Sequence, residues 1–224
     1  MFGKILDTLI SKKTLLDDAR QEAVMMLVSD RRMFELVLMA LKEDSDHHIR
    51  ARIADMDKDI NLQQRDVRKK VFAHLSISRG QDLQGSLELI MAVIDLERIG
   101  DYTKNMSELL EMLPGKTDYG PHGDDLQEAM RLSYSLFDLC VSSFARNDRD
   151  SAKKAMENYN RLSRLCNQTL EQLFEETKGQ DNIRRDYMGL ILLLRYLKRV
   201  GAHLKNIASA EVNPFHRIGY TKKF

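Results

Sequence analysis

Apolar residues recur at threes and fours along most of this chain, which is the spacing of helices that bury one face. Val24, Leu27, Met33, Val37 and Leu41 form a first stripe; Asp17 or Asp18 can cap its start, and Glu43, Asp44, Ser45 and Asp46 make a polar end. A second stripe, Ile53, Met56, Ile60, Val67, Val71 and Leu75, runs until Ser78, Arg79 and Gly80 close it. From Asp82 a third helix carries Leu83, Leu87, Ile90 and Ile94 on one line, and Val93, Leu96, Ile99, Met106 and Leu110 on another. Two apolar faces predict a central helix. Prolines and glycines then gather at Pro114, Gly115, Gly120, Pro121 and Gly123, a linker signal, and the pattern restarts. Further helices are predicted over residues 124–146, 150–178 and 182–211, the last stopped by Asn213 and Pro214.

The expected architecture is therefore all-α, two tandem three-helix bundles. The first occupies residues 1–113, a linker 114–123, the second bundle 124–212 and a tail 213–224. The third and sixth helices also align with each other. Leu96, Arg98, Gly100, Lys104 and Asn105 fall over Leu197, Arg199, Gly201, Lys205 and Asn206 at one constant offset, which points to an internal duplication.

Composition agrees with helix and removes several functions. The chain has 224 residues, enough for two small cores, with three prolines, no tryptophan and twelve methionines that are read as core filler. Its 35 basic residues nearly cancel 34 acidic ones, so no field favours the phosphate backbone of a nucleic acid. Cys140 and Cys166 lack a Cys-x-x-Cys partner and lie in amphipathic segments, as buried thiols of a reducing compartment do. The apolar run Leu190, Ile191, Leu192, Leu193 and Leu194 is far shorter than a membrane span, and the opening residues do not read as a secretory signal. A cytoplasmic location is expected.

Candidate chemistry gathers on the third helix. Glu97 and Asp101 stand four apart, hence about one turn from each other on one face, and on the second helix Asp57 and Asn61 have the same spacing. A facing pair of this kind makes an oxygen-rich site that suits Mg²⁺, Ca²⁺, Mn²⁺ or iron. The alternative is that Glu97 and Asp101 are solvated or paired with Arg98 and Lys104, and spacing alone leaves both readings open. Gly100, between the two acids, costs roughly 1 kcal/mol in a helix interior relative to alanine and so suggests a close crossing. His47, His48 and His203 are read as solvated or structural rather than as ligands. No Ser-His-Asp arrangement, phosphate-binding glycine loop or Cys/His metal spacing is visible.

The run from 95 to 105, with Asp95, Leu96, Glu97, Arg98, Ile99, Gly100, Asp101 and Asn105, resembles the signature that ends a PhoU-family bundle. Upstream, Asp57, Lys58, Asp59, Ile60 and Asn61 resemble its partner motif, and the likeness in helix order and repeat extends over essentially the whole chain. The resemblance implies a metal ion cluster, iron or zinc, held on the bundle surface by Asp57, Asn61, Glu97 and Asp101. It also implies a negative regulator of phosphate uptake that contacts a phosphate transporter and a membrane sensor kinase and turns over no substrate. A homodimer is compatible with it.

The second half departs from that pattern. Lys198 stands where Glu97 does and Ala202 where Asp101 does, while Glu157 and Arg161 take the places of Asp57 and Asn61. A second metal cluster is therefore not expected, and Glu157 with Arg161 is predicted to form an ion pair within its helix. The amphipathic segment over residues 1–10 and the aromatic, basic tail from Phe215 suit either peripheral docking to a membrane complex or frayed termini. Two rival functions compete. A carboxylate-bridged di-metal oxidase would need Glu-x-x-His, which is absent from the chain, whereas a metal-free helical scaffold or oligomerisation module is compatible with the lost ligands.

Overall fold

A computed structural model describes residues 14–42, 47–113, 119–181 and 183–220, without the side chains of Lys42, His47 and His48. The expectations for the first ten residues and for His47 and His48 fall outside the described residues. Six long helices follow in order: α1 Leu15–Lys42, α2 His47–Ile77, α3 Leu83–Met112, α4 Gly123–Arg146, α5 Arg149–Glu176 and α6 Arg185–Ser209. Helices α1, α2 and α3 pack on one another, as do α4, α5 and α6. The described residues contain no strand.

Local chemistry sets the ends of these helices. α1 begins ahead of the predicted Asp17 cap because Thr14 and Asp17 form a capping box: the Thr14 hydroxyl accepts from the Asp17 amide at 3.1 Å, and the Asp17 carboxylate accepts from the Thr14 amide at 2.9 Å. Asp17 is thus the reciprocal partner, and Thr14 the cap. Between α2 and α3 the turn uses positive φ at Arg79, Gly80 and Asp82. Asn147 ends α4 in the left-handed conformation, and Asp148 caps α5 by accepting from the amides of Asp150 and Ser151. Ahead of α4, a short 3-10 turn, Gly120–His122, buries His122 where its Nε2 meets the Glu176 carboxylate at 3.1 Å.

One apolar core runs through both bundles, with Met26, Leu27, Phe34, Ile53, Ile60, Leu96 and Ile99 among its fully buried residues in the first and Leu136, Phe137, Leu162 and Leu197 in the second. Each such side chain contributes about 1.5–3 kcal/mol by leaving water. The methionines divide: Met26, Met33 and Met106 fill the core, whereas Met25, Met39 and Met112 are exposed. Cys140 and Cys166 are buried free thiols whose surroundings push their pKa values up, Cys166 to about 12.

The bundles meet through α1 with α4 and α3 with α6. Arg31 reaches from α1 to Tyr134 and Asp138, Arg20 to Asn147 and Glu211, and the Phe34 and Phe137 rings lie 5.1 Å apart. Along α3 and α6, His203 Nδ1 stands 2.7 Å from Asp95, and the Tyr102 ring lies 6.1 Å from Tyr196. The repeat places Tyr102 over His203 and Asp95 over Tyr196, so these two contacts are one contact made twice, the signature of a two-fold arrangement.

Helix α3 is central, but not through the two faces the periodicity suggested. Leu83, Leu87 and Ile94 are exposed and only Ile90 of that line packs against the core, so most of the line faces outward rather than into a second apolar interface. The second contact is made instead by Asp95 and Tyr102. Beyond α6, the tail is folded back as far as Tyr220: the Gly219 amide donates to Ser209 Oγ at 2.7 Å, and Asn213 donates to the carbonyls of Arg217 and Tyr220. Residues 221–224 lie outside the described ones.

Candidate metal centre

Gly100 lies on the face of α3 that packs against α1 and α2. A Cβ placed there would meet Asp30 Oδ1 at 3.3 Å and Asp57 Oδ1 at 3.5 Å, so the bare glycine is what admits two carboxylates to the same point. Two acids and Ile60 Cδ1, at 3.7 Å, crowd this glycine. Asp57, on α2, is 6% exposed; its Oδ2 receives Lys104 Nζ at 3.4 Å, and its Oδ1 has no hydrogen-bond partner. Asp30, on α1, is 0% exposed and neither of its oxygens has a partner. Burial first, then the charges of Asp57 and Glu97, raises the Asp30 pKa well above the usual carboxylate range.

Glu97, on α3, acts on this pair through its charge, and Asp101 acts on Glu97. Glu97 is half-buried, and its pKa is raised first by burial and then by Asp101, with Asp57 adding to the effect. Asp57, Glu97 and Asp101 therefore share one electrostatic neighbourhood. Asp101 is turned toward Arg98, which donates to it at 3.2 Å and lies 3.6 Å from Glu97. Asn61 donates its side-chain amide to the Asp57 carbonyl at 3.0 Å, one turn back on the same helix. Of the two basic residues weighed as partners for these acids, Arg98 pairs with both, while Lys104 turns to Asp57.

Among the described residues, no three His, Cys, Asp or Glu side chains stand close enough together to hold a metal ion as they are. The donors are gathered rather than closed. Their chemistry nevertheless suits a hard cation, because buried carboxylate oxygens without donors at Asp30 and Asp57 are costly when ionised and call for a proton or a positive charge.

Sequence reasoning missed Asp30. The available signal was a single acid inside an apolar stripe, since Met26, Leu27, Met33 and Phe34 at three and four positions to either side are all 0% exposed. In the second bundle the corresponding glycine, Gly201, faces Leu162 Cδ2 at 2.6 Å, Tyr159 Cδ2 at 3.3 Å and Leu136 Cδ1 at 3.4 Å. Where Gly100 meets two carboxylate oxygens and Ile60 Cδ1 at 3.7 Å, Gly201 meets carbon alone. Glu157 does not pair with Arg161, which instead lies 4.0 Å from Glu128 on α4. Lys198 donates to Asn167 at 2.6 Å, and Lys205, counterpart of Lys104, lies over the Tyr159 ring at 5.1 Å.

Fold and site define a class: duplicated three-helix bundles with an acidic cluster at the close crossing of a central helix. The chain belongs to the PhoU family, whose model, described as PhoU domain, matches residues 25–110 and again 126–210. It is 25% identical over 167 residues to the phosphate-specific transport system accessory protein PhoU homolog of Synechocystis sp., covering 70% of each chain. The homolog of that name from Pseudomonas aeruginosa is 25% identical over 170 residues, covering 74% of this chain and 69% of its own. In fold, the chain is similar to the crystal structure of PhoU from Pseudomonas aeruginosa, with a TM-score of 0.77 at 23% identity over 88% of this chain and 95% of that one. The phosphate transport system regulatory protein PhoU from Streptococcus pneumoniae gives a TM-score of 0.76 at 18% identity, over 88% and 93%.

Proposed function

We propose that this protein is a regulator of phosphate uptake that works by contact and turns over no substrate. Its partners in this reading are a phosphate transporter and a membrane sensor kinase, reached from the cytoplasmic side. The observation that carries it is the PhoU domain found in both halves, together with relatives named as accessory proteins of phosphate-specific transport. None of the described helices is long and apolar enough to cross a membrane.

The same reading gives the first bundle a resident cation, held by Asp57, Asn61, Glu97 and Asp101. Iron or zinc is the family expectation, and the all-oxygen donor set equally suits Mg²⁺, Mn²⁺ or Ca²⁺. When bound, such an ion supplies fixed positive charge that joins α2 to α3; Arg98 and Lys104 hold the carboxylates otherwise. The competing reading, a metal-free scaffold, draws on the second bundle, where the same crossing is filled by Leu136, Tyr159 and Leu162.

The regulatory reading is tested by recovering the tagged full chain from solubilised membranes of cells grown with high and with low phosphate. A transporter or kinase component should be retained in at least one condition, and retention of neither in both would defeat it. Metal content of the purified chain and of Glu97→Ala/Asp101→Ala separates the cation reading from the scaffold, which predicts equal content in the two.

A further inference from the structure

We propose that Asp30 is an interior ligand of the same cation site, contributed by α1, so that a bound ion joins all three helices of the first bundle rather than resting on its surface. This rests on the cation reading given above and adds a ligand that the sequence motifs do not contain.

Asp30 is fully buried, neither of its oxygens receives a hydrogen bond, and Oδ1 is aimed at the point beside Gly100 that Asp57 Oδ1 also faces. The nearby ammonium, that of Lys104, is engaged with the other oxygen of Asp57 and leaves this inner edge unanswered. An ionised carboxylate so placed costs several kcal/mol unless a cation or donors compensate it, so without an ion Asp30 holds a proton, which a bound cation displaces. Packing does not require an acid here, since the matching point of the second bundle is filled by Leu136, Tyr159 and Leu162. Two inward oxygens from different helices, with room preserved by a glycine on a third, would form the inner half of a coordination shell, and Glu97, whose charge acts on both acids, would close the outer half once drawn in by the ion. The class of ligand is a small hard divalent cation that takes carboxylate oxygens, for which Mn²⁺ is the practical probe.

The test uses the full-length chain stripped with chelator and titrated with Mn²⁺, followed by calorimetric binding and by thermal unfolding with and without the ion. Wild type should bind and its Tm should rise. Asp30→Asn, nearly isosteric, should weaken binding roughly tenfold or more and lose most of the Mn²⁺-dependent rise in Tm. Asp30→Leu should retain helical circular dichroism and lose that rise entirely, and Asp30→Asn carries the test alone if Asp30→Leu fails to fold. Equal binding by wild type and Asp30→Asn, with loss in Glu97→Gln/Asp101→Asn, would overturn the role of Asp30 and leave the surface site standing. No binding of Mn²⁺, iron or zinc by wild type would overturn both.

Discussion

The crossings at Gly100 and Gly201 are the same joint built from different atoms. At Gly100 the central helix meets Asp30, Asp57 and Ile60; at Gly201 it meets Leu136, Tyr159 and Leu162. Even the lysine one turn on is kept and redirected, from the Asp57 carboxylate in the first bundle to the Gly219 carbonyl and the Tyr159 ring in the second. The difference teaches that the glycine serves the fold, by letting helices approach, while the residues around it are free to serve something else. A joint packed with carbon is stabilised by apolar burial alone. One lined with partnerless oxygens is the more expensive choice and calls for a compensating charge.

The harshest way to break this comparison is to put the acid on the wrong side. Leu136→Asp should destabilise the protein by about 4 kcal/mol, because it removes a fully buried leucine and strands a carboxylate among Tyr159 and Leu162. Chemical denaturation reads this directly, and a loss below about 1 kcal/mol would mean that the second joint has charge compensation not apparent in its packing. The opposite exchange, Asp30→Leu, keeps the side-chain skeleton and should stabilise the metal-free protein by about 1–3 kcal/mol. A loss of stability in chelated protein would show that Asp30 is already satisfied without an ion.

Much of this fold could be read from residue spacing, because six stripes at threes and fours, a proline-glycine linker and the repeated Arg-x-Gly segment each follow from helix geometry. The errors share a cause: periodicity fixes neighbours within a helix but not what lies across from them. Leu83, Leu87 and Ile94 form a true line on α3, yet it faces outward. Arg161 was assigned to Glu157 one turn away, yet it reaches toward Glu128 on α4. Aligning Glu157 with Asp57 was also misplaced by two residues, since Tyr159 is the side chain that reaches Gly201 as Asp57 reaches Gly100. Asp57, Glu97 and Asp101 were accessible because their spacing is internal to α2 and α3. Asp30 was not, because its relation to them exists only once α1 has packed.

A milder probe compares the two glycines themselves. In Gly201→Ala the new Cβ would fall 2.6 Å from Leu162 Cδ2, and the packed Tyr159 and Leu136 limit how far that leucine can yield. A net loss of about 1–2 kcal/mol is expected after allowing for the better helix propensity of alanine. In Gly100→Ala the closest atoms are carboxylate oxygens at 3.3 and 3.5 Å, so stability should change by less than about 1 kcal/mol while Mn²⁺ binding weakens. Equal destabilisation in both, with binding untouched, would remove the distinction between a packing joint and a ligand joint.

The smallest effect concerns the clasp that keeps the two joints in one molecule. Glu35 on α1 accepts from the Tyr134 phenol on α4 at 2.7 Å, and that bond, with Arg32 and Arg31 beside it, holds its carboxyl below the ordinary value of 4.5. A carboxyl whose pKa is lowered in the folded state adds stability above its unfolded pKa and loses it as pH falls through the folded one. Wild type should therefore exceed Glu35→Gln by under about 1 kcal/mol at neutral pH, and the gap should close as pH falls below 4.5 and through the lowered folded pKa of Glu35. Because this clasp touches neither glycine, the same pH-dependent gap should appear when both proteins also carry Leu136→Ala. A gap that vanishes in that background would mean the second joint and the clasp form one coupled unit, so that the two bundles could not be compared as independent copies.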